Sequence, residues 1–200
     1  MTRRLGIFGG TFNPPHVGHV IAALNVKNAL VLDMVTLMVA GEPWQKASGG
    51  NVESPGDRLA MTHAAVNGIA GLYVGDDEVL RGGPTYTVDT LEKISQQQPD
   101  TELFTIIGAD AALGLKTWHR WEEITSLSTL VIVNRNAMVL DDINNFDAQC
   151  VVIADIEASS SEVRRRISQG QSVDHLVVPS VLEIIKQRNL YQEADEAMDN

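Results

Sequence analysis

The chain has 200 residues, of which 44% are hydrophobic, and this suits one globular domain with a sizeable core. Its formal net charge of −11 disfavours non-specific binding to nucleic acid. No apolar run reaches the roughly 18 residues that span a membrane, and the stretch after Arg4 is broken too early for a signal peptide. A single cysteine, Cys150, excludes an intrachain disulfide, so we expect a cytoplasmic protein without a membrane partner.

Strand and helix patterns alternate along the chain, which predicts an α/β fold with an open parallel sheet. Apolar runs predict strands over residues 5–8, 35–39, 72–79, 103–107, 130–133 and 150–153. Helical spacing follows the first and second strands, and further helices are predicted over residues 87–98, 121–126, 162–168 and 179–188. Residues 1–192 are expected to form a single domain.

Three smaller expectations follow from local composition. The last eight residues, 193–200, hold four of the 26 acidic residues and no basic one, so we expect a disordered acidic tail. Cys150 lies in the run Cys-Val-Val-Ile and is expected to be a buried strand residue. His63 shares a helical face with Leu59, Val66 and Ala70, which predicts a position in or near the core.

The segment over residues 9–19, GGTFNPPHVGH, joins the first strand to the first helix. A glycine-rich turn there frees backbone N–H groups and points a helix N-terminus at an anion. The segment matches neither G-x-G-x-x-G nor the phosphate loop G-x-x-x-x-G-K-[ST], which disfavours dehydrogenases and P-loop kinases. A bare structural turn and a metal-binding pair, His16 and His19, are the alternatives. Histidine pairs that bind zinc usually stand four residues apart and have a third ligand, which disfavours a metal site here. The segment therefore favours an enzyme that binds a nucleoside triphosphate.

Other marked residues follow later strands. Gly108-Ala109-Asp110 and Arg135 each come after a predicted strand, and Ser159-Ser160-Ser161-Glu162 opens a helix that carries Arg164. Because ligands bind at the carboxyl ends of parallel strands, we expect these groups to converge. The serines also read as a capping box, and Asp110 as a turn residue.

Two tryptophans add an aromatic signal between these groups. Trp118 and Trp121 would share a face if their segment were helical, with one packed in the core and the other stacked on a ligand ring. His119 between them has the pattern of a surface residue.

These motifs together resemble a known family. Residues 9–19 are similar to the first motif of the HxGH nucleotidyltransferases, and Ser159–Arg164 to their second motif, ISSTxIR. The segments GGPTYTVDTL (82–91), GAD (108–110) and TWHRW (117–121) resemble the nicotinate-nucleotide adenylyltransferases of NAD synthesis. The resemblance runs from about Leu5 to Tyr191. It implies a Rossmann-like open parallel sheet with helices on both faces and a small C-terminal helical extension.

The resemblance also implies an activity: adenylyl transfer from ATP to nicotinate mononucleotide, giving deamido-NAD and pyrophosphate. Mg²⁺ would accompany the triphosphate with few or no direct protein ligands. Three residues would be catalytic, namely His16, His19 and Arg164. The implied ATP-binding set is Gly9, Gly10, Thr11, Phe12, His16, His19, Gly108, Asp110, Ser159, Ser160, Ser161 and Arg164. The implied set for the mononucleotide is Lys46, Thr85, Tyr86, Thr87, Trp118, His119 and Arg135.

The chain departs from the family pattern at three places. Asn13 stands where the family often has Asp, Ala158-Ser159-Ser160-Ser161 replaces ISST, and Pro43-Trp44-Gln45-Lys46 replaces Pro-Pro-His-Lys. Another HxGH adenylyltransferase, such as the phosphopantetheine enzyme, is an alternative. A catalytically silent nucleotide-binding regulator is another, although both histidines are retained. The pyridine preference and the oligomeric state stay open, and a homo-oligomer is compatible with the sequence.

Overall fold

The computed structural model describes residues 2–42, 52–134 and 147–192. Within these ranges one six-stranded sheet forms from β1 (Arg3–Gly10), β2 (Met34–Val39), β3 (Leu72–Gly75), β4 (Thr101–Gly108), β5 (Thr129–Asn134) and β6 (Ala148–Val152). All of its pairings are parallel, in the order β3-β2-β1-β4-β5-β6. The predicted open parallel sheet is therefore confirmed. Because the connections leave β1 and β4 in opposite directions, a crevice is expected between their carboxyl ends.

Helices follow most strands. They are α1 (Val17–Ala29), α2 (Pro55–Val66), α3 (Asp77–Arg81), α4 (Thr87–Gln97), α5 (Ala109–Leu113), α6 (Trp121–Leu127), α7 (Ser160–Ser168) and α8 (Pro179–Gln187). The last two form the predicted C-terminal helical extension. Across the described ranges, none of these helices is long and apolar enough to cross a membrane.

The sheet is covered by helices on both faces, as predicted. Leu5 and Ile7 of β1 pack with Leu91 of α4 on one face. Phe8 of the same strand packs with Val26 of α1 on the other face. This alternation along a single strand is what the two-residue period of a β-strand dictates, and burial on both faces explains the nearly continuous apolar runs.

Two predictions about burial are wrong. Cys150 is exposed, because β6 ends the described sheet and only Val151 among its residues is buried. His63 is also exposed. Helix α2 turns a different face to the core, formed by Arg58, Met61, Thr62, Ala65 and Val66. The predicted face followed the apolar residues Leu59, Val66 and Ala70, and it therefore left out the polar Arg58 and Thr62, which are buried.

The predicted strand over residues 72–79 is too long. β3 ends at Gly75, and the following residues form α3, whose first turn carries Asp77 and Glu78. Acidic side chains there favour a helix N-terminus, and Leu80 of the same helix is 76% exposed. The residues after β4 likewise form α5 instead of a simple turn.

Candidate active site

A cleft of about 370 Å³ opens at the carboxyl ends of β1 and β4. Its position is where an open parallel sheet of this order binds ligands. Ten of the residues that the sequence singled out line it: Gly9, Gly10, Thr11, Thr85, Tyr86, Thr87, Gly108, Asp110, Trp118 and His119. The fold therefore brings together residues that lie more than a hundred positions apart in the chain.

The glycine-rich segment differs from the predicted turn at its start. Gly9 and Gly10 continue β1 and pair with Met38 and Val39 of β2, so the loop begins at Thr11. A Cβ atom on Gly10 would come within 2.8 Å of the ring of Phe12. Phe12 has a φ of 49° and its side chain is buried. The strand end thus leaves room for the ring to fold back beneath the loop.

The two histidines are held against each other at the start of α1. The backbone N–H of His16 donates to Nδ1 of His19 over 3.1 Å, and the N–H of His19 donates to the carbonyl of His16 over 2.9 Å. Their ring centroids are 3.8 Å apart, and the Phe12 ring packs edge-on against His19. Because Nδ1 of His19 accepts, Nε2 is its donor toward a ligand.

The surroundings of this pair suit an anion. The first turn of α1 carries no acidic residue, so the positive end of the helix dipole is not neutralised there. His16 is only 4% exposed, whereas the His19 side chain is partly exposed. His19 is thus the histidine of the pair that is more accessible to a phosphate.

Helix α7 reaches the same loop from the other end of the chain. Nη1 of Arg164 donates to the carbonyl of Asn13 over 2.7 Å, and Oγ of Ser160 donates to the carbonyl of Pro14 over 2.8 Å. Ser159 caps the helix, since its Oγ accepts from the N–H of Glu162. The two end motifs are therefore in direct contact, as the convergence argument predicted.

Only half of the predicted capping box forms. The carboxylate of Glu162 pairs with Arg165 and Arg166, each over 2.7 Å. Hydrogen bonds from these two arginines lower the pKa of Glu162 to about 2. Arg165 and Arg166 are thus paired with the carboxylate of Glu162, whereas Arg164 contacts the loop.

Aromatic rings border the opposite side of the cleft. The rings of Tyr86 and His119 lie 4.4 Å apart between centroids. Trp118 lines the cleft and also packs against two clusters of the core. Its Nε1 is buried without a hydrogen-bond partner among the residues that the structure describes.

Trp118 and Trp121 do not share a helical face. Trp118 ends a 3₁₀ turn over Leu115–Thr117, and Arg120, with a φ of 51°, separates it from α6. The shared face, which required the segment to be helical, therefore does not form, because the left-handed Arg120 redirects the chain between the two tryptophans.

The comparison with known families agrees with this geometry. The model of the cytidylyltransferase-like family matches residues 7–166, which is more than half of the chain. This chain belongs to the cytidylyltransferase-like family. The match includes both histidines of the loop and Arg164, which contacts it.

Two curated proteins that are similar to this chain over nearly its full length share one name. A probable nicotinate-nucleotide adenylyltransferase of Corynebacterium glutamicum is 39% identical over 98% of this chain and 93% of its own. A probable nicotinate-nucleotide adenylyltransferase of Dehalococcoides mccartyi is also 39% identical, over 94% of this chain and 97% of its own. The resemblance that the motifs carry is thereby confirmed.

Solved structures support the fold. The nicotinic acid mononucleotide adenylyltransferase of Plasmodium falciparum, complexed with NaAD, superposes with a TM-score of 0.78 at 17% identity, covering 94% of this chain and 97% of that one. A putative nicotinate-nucleotide adenylyltransferase of Vibrio parahaemolyticus gives a TM-score of 0.71 at 22% identity, covering 96% and 97%.

Three residues at or beside the site were missed by the sequence analysis. Arg58 is 1% exposed and donates to carbonyls at the ends of β1 and β2. The hydroxyl of Tyr191 donates to Oδ1 of Asn13 over 2.8 Å, and burial raises the pKa of Tyr191. Glu78 is buried and lines the cleft. A correct face for α2 would have singled out Arg58 as its one charged inward residue.

Two predicted residues, Lys46 and Arg135, lie outside the described residues, as does the acidic tail.

A second hollow of about 590 Å³ lies beside β3, lined by residues 63, 64 and 66–73, and contains none of the predicted site residues. Among the described residues, no three His, Cys, Asp or Glu side chains are grouped to hold a metal ion.

Proposed function

We propose that this chain is the nicotinate-nucleotide adenylyltransferase of NAD synthesis, transferring the adenylyl group of ATP to nicotinate mononucleotide. One observation carries the proposal. The loop with His16 and His19 is hydrogen-bonded to the helix that carries Arg164. The same loop follows β1, whose last residues line a cleft bordered by Tyr86, Trp118 and His119. A site for a triphosphate thus adjoins a site for an aromatic ring.

The reaction exchanges one phosphorus–oxygen bond for another. A 5′-phosphate oxygen of the mononucleotide attacks the α-phosphorus of ATP, and the bond from that phosphorus to the bridging oxygen of the β-phosphate breaks. The products are deamido-NAD and pyrophosphate. Such transfers depend mainly on alignment and on stabilising charge at the phosphate oxygens. His16, His19 and Arg164 are the proposed donors to those oxygens.

The remaining ATP contacts are assigned by position. Gly9, Gly10 and Thr11 would lie along the phosphates beneath the nucleotide, and Phe12 would support the loop. Ser159, Ser160 and Ser161 begin α7, next to the loop. Asp110 is exposed at the start of α5 and would accept hydrogen bonds from ribose hydroxyls. Mg²⁺ is proposed to enter on the triphosphate as part of the substrate, because it usually binds through substrate phosphates and water.

The pyridine end is assigned to the aromatic side of the cleft. Trp118 would stack on the pyridine ring, with Tyr86 and His119 at its edge. Helix α4 begins at Thr87 with no side-chain cap from Tyr86, so its first N–H groups would be available to the nicotinate carboxylate, with Asp89 as the acidic residue of that turn. The hydroxyl of Thr85 donates to the carbonyl of Glu42 over 3.0 Å, so Thr85 would shape this end of the cleft. Lys46 and Arg135 are proposed phosphate contacts.

A substrate panel tests the proposal. The purified chain is incubated with Mg²⁺ and ATP and with either nicotinate mononucleotide, nicotinamide mononucleotide or phosphopantetheine, and the products are identified by mass. We expect deamido-NAD, formed faster than NAD. Product from phosphopantetheine alone would assign the chain to the alternative adenylyltransferase. No turnover of any of the three would support the silent regulator.

A pair of histidine variants tests the role of the loop. We expect His19→Ala to lower kcat by about 10²–10³-fold, since it removes one donor to a transition-state oxygen. His63→Ala is the matched control, because His63 is exposed on α2 and lines the hollow beside β3 and not the cleft. A His19→Ala enzyme as fast as the control would contradict the assigned role.

A further inference from the structure

Arg58 is a buried cation whose partners are carbonyl groups. Its Nε donates to Glu53 over 3.0 Å, its Nη1 to Thr11 and Ala40 over 2.9 and 2.6 Å, and its Nη2 to Gly41 over 2.8 Å. Within the described residues no carboxylate lies within ion-pair distance of it. Burial lowers the pKa of Arg58, yet a guanidinium remains charged at neutral pH.

A buried charge of this kind is costly unless its donors are used, and here four hydrogen bonds reach carbonyls of the loop after β1, the segment after β2 and the segment before α2. Thr11 begins the loop after β1, and Ala40 and Gly41 follow β2. One planar group therefore fastens the ends of two neighbouring strands at the edge where the cleft opens. Lysine could not replace it fully, since an ammonium concentrates its donors at one point.

The carbonyls of the loop, and that of Gly10 at the end of β1, show what this bonding achieves. The carbonyl of Gly10 accepts from the N–H of Ala40, that of Thr11 from Arg58, that of Asn13 from Arg164 and that of Pro14 from Ser160. A carbonyl oxygen that faced a phosphate would repel it. A loop that binds a triphosphate must therefore direct its carbonyls toward protein donors and its N–H groups toward the anion.

Arg58 also acts on the loop through Glu53. It holds the carbonyl of Glu53, whose own N–H donates to Oδ1 of Asn13 over 3.2 Å. Asn13 is 4% exposed and lies three residues before His16. The loop is thus connected to Arg58 at Thr11 directly and at Asn13 through one further residue.

We infer that Arg58 is a positioning residue for ATP, which holds the carbonyl of Thr11 away from the nucleotide and fixes the loop that presents His16 and His19. This inference rests on the proposed function for the identity of the anion. It assigns to Arg58 no contact with the substrate.

The test compares Arg58→Met and Arg58→Lys with Thr62→Val. Thr62 is buried one turn further along the same helix, and its hydroxyl donates only to the carbonyl of Arg58 among the described contacts, so the control loses a buried hydrogen bond without touching the loop. The readouts are equilibrium binding of a non-hydrolysable ATP analogue, the separate KM values for ATP and nicotinate mononucleotide, and the melting temperature.

We expect Arg58→Met to weaken analogue binding and raise the KM for ATP by about tenfold to a hundredfold, with a much smaller change for the mononucleotide. Arg58→Lys should recover part of the loss, and Thr62→Val should lower only the melting temperature. If Arg58→Met does not fold, the lysine variant decides by the same selectivity. Equal changes in both KM values, or unchanged analogue binding, would overturn the inference.

The two proposals fail differently. A wild-type enzyme that binds the ATP analogue but makes no deamido-NAD refutes the proposed reaction, while the binding measurements still decide the role of Arg58. A wild-type enzyme that makes deamido-NAD while Arg58→Met binds the analogue normally refutes only the inference.

Discussion

The two histidines require a glycine, Gly18, between them. A Cβ atom at this position would lie 2.9 Å from Nδ1 of His16 and 3.0 Å from its Cε1. Real Cβ atoms essentially never come this close, and His16 is buried, so the ring could not move without disturbing His19 at 3.8 Å. The glycine is thus required by the packing of the His16 ring.

We expect Gly18→Ala to fold and to lower kcat by about tenfold or more, because a shift of the two rings misplaces a donor in the transition state. Gly56→Ala is the control. Both glycines are the second residue of a helix, but a Cβ on Gly56 would meet only Oγ of Ser54 at 3.8 Å. That variant should keep full activity and gain about 0.5–1 kcal/mol of stability. Steady-state kinetics and thermal melts of both enzymes would show the contrast, and equal activities would contradict it.

At the scale of elements, helices α3 and α4 are joined by a buried pair of polar groups. Glu78 is 7% exposed, and Oγ1 of Thr90 donates to its Oε1 over 2.7 Å. Burial raises the pKa of Glu78, while the hydrogen bond from Thr90 and the charge of Arg81 oppose that rise. The folded protein therefore holds the proton of Glu78 to a higher pH than the unfolded chain does.

The consequence is a pH-dependent stability. A carboxyl with a raised folded-state pKa contributes its full stability below the unfolded pKa and loses it as the pH rises through the folded pKa. Glu78→Gln keeps an oxygen for Thr90 and cannot ionise. We expect the variant and the wild type to melt alike near pH 4, and the variant to melt higher at pH 8, by about 2–4 °C per kcal/mol of difference. Parallel melting curves across this range would contradict the assigned titration.

The same elements show what the sequence could predict. The sheet was predictable because strands buried on both faces read as apolar runs, and β1, β2, β4 and β5 each contain the predicted range. Helix α3 was missed because the predicted strand was carried past Asp76, Asp77 and Glu78 to the apolar Val79, and the face of α2 was misjudged because Arg58 and Thr62 are buried polar residues. Periodicity assigns polar residues to the surface and has no means to detect a buried hydrogen-bond network.

The candidate site divides in the same way. Gly9, Gly10, Gly108 and Asp110 line the cleft and were singled out because glycines and polar residues at strand ends have recognisable chemistry, whereas Thr85, Tyr86 and His119 were singled out by the family resemblance. Arg58 and Tyr191 were not found, because their partners are the backbone of Thr11 and the side chain of Asn13, and both are set by tertiary packing. The positions were predictable, whereas the support beneath them required the fold.

For the whole molecule, the C-terminal extension is part of the support of the site. Arg164 and Tyr191 both contact Asn13, across 151 and 178 residues of chain. Helix α8 is fixed to α2 by Ser180, whose hydroxyl donates to the carbonyl of Ala64, and by the ion pair of Arg188 with Asp57. The loop between β1 and α1 is thus held by segments from the middle and the end of the chain.

Removing one hydroxyl tests whether this long-range support affects both stability and binding. Tyr191→Phe keeps the ring and deletes the donor to Asn13, leaving the N–H of Glu53 as the described donor to that oxygen. A buried hydrogen bond of this kind is worth about 1 kcal/mol, and more where an acceptor loses a partner. We therefore expect a melting temperature lower by about 2–6 °C and a KM for ATP raised several-fold.

Tyr73→Phe is the matched control, since Tyr73 is 53% exposed on β3 and remote from the loop. Unchanged ATP kinetics together with the lower melting temperature would limit Tyr191 to a structural role, and no change in either quantity would contradict the hydrogen bond itself.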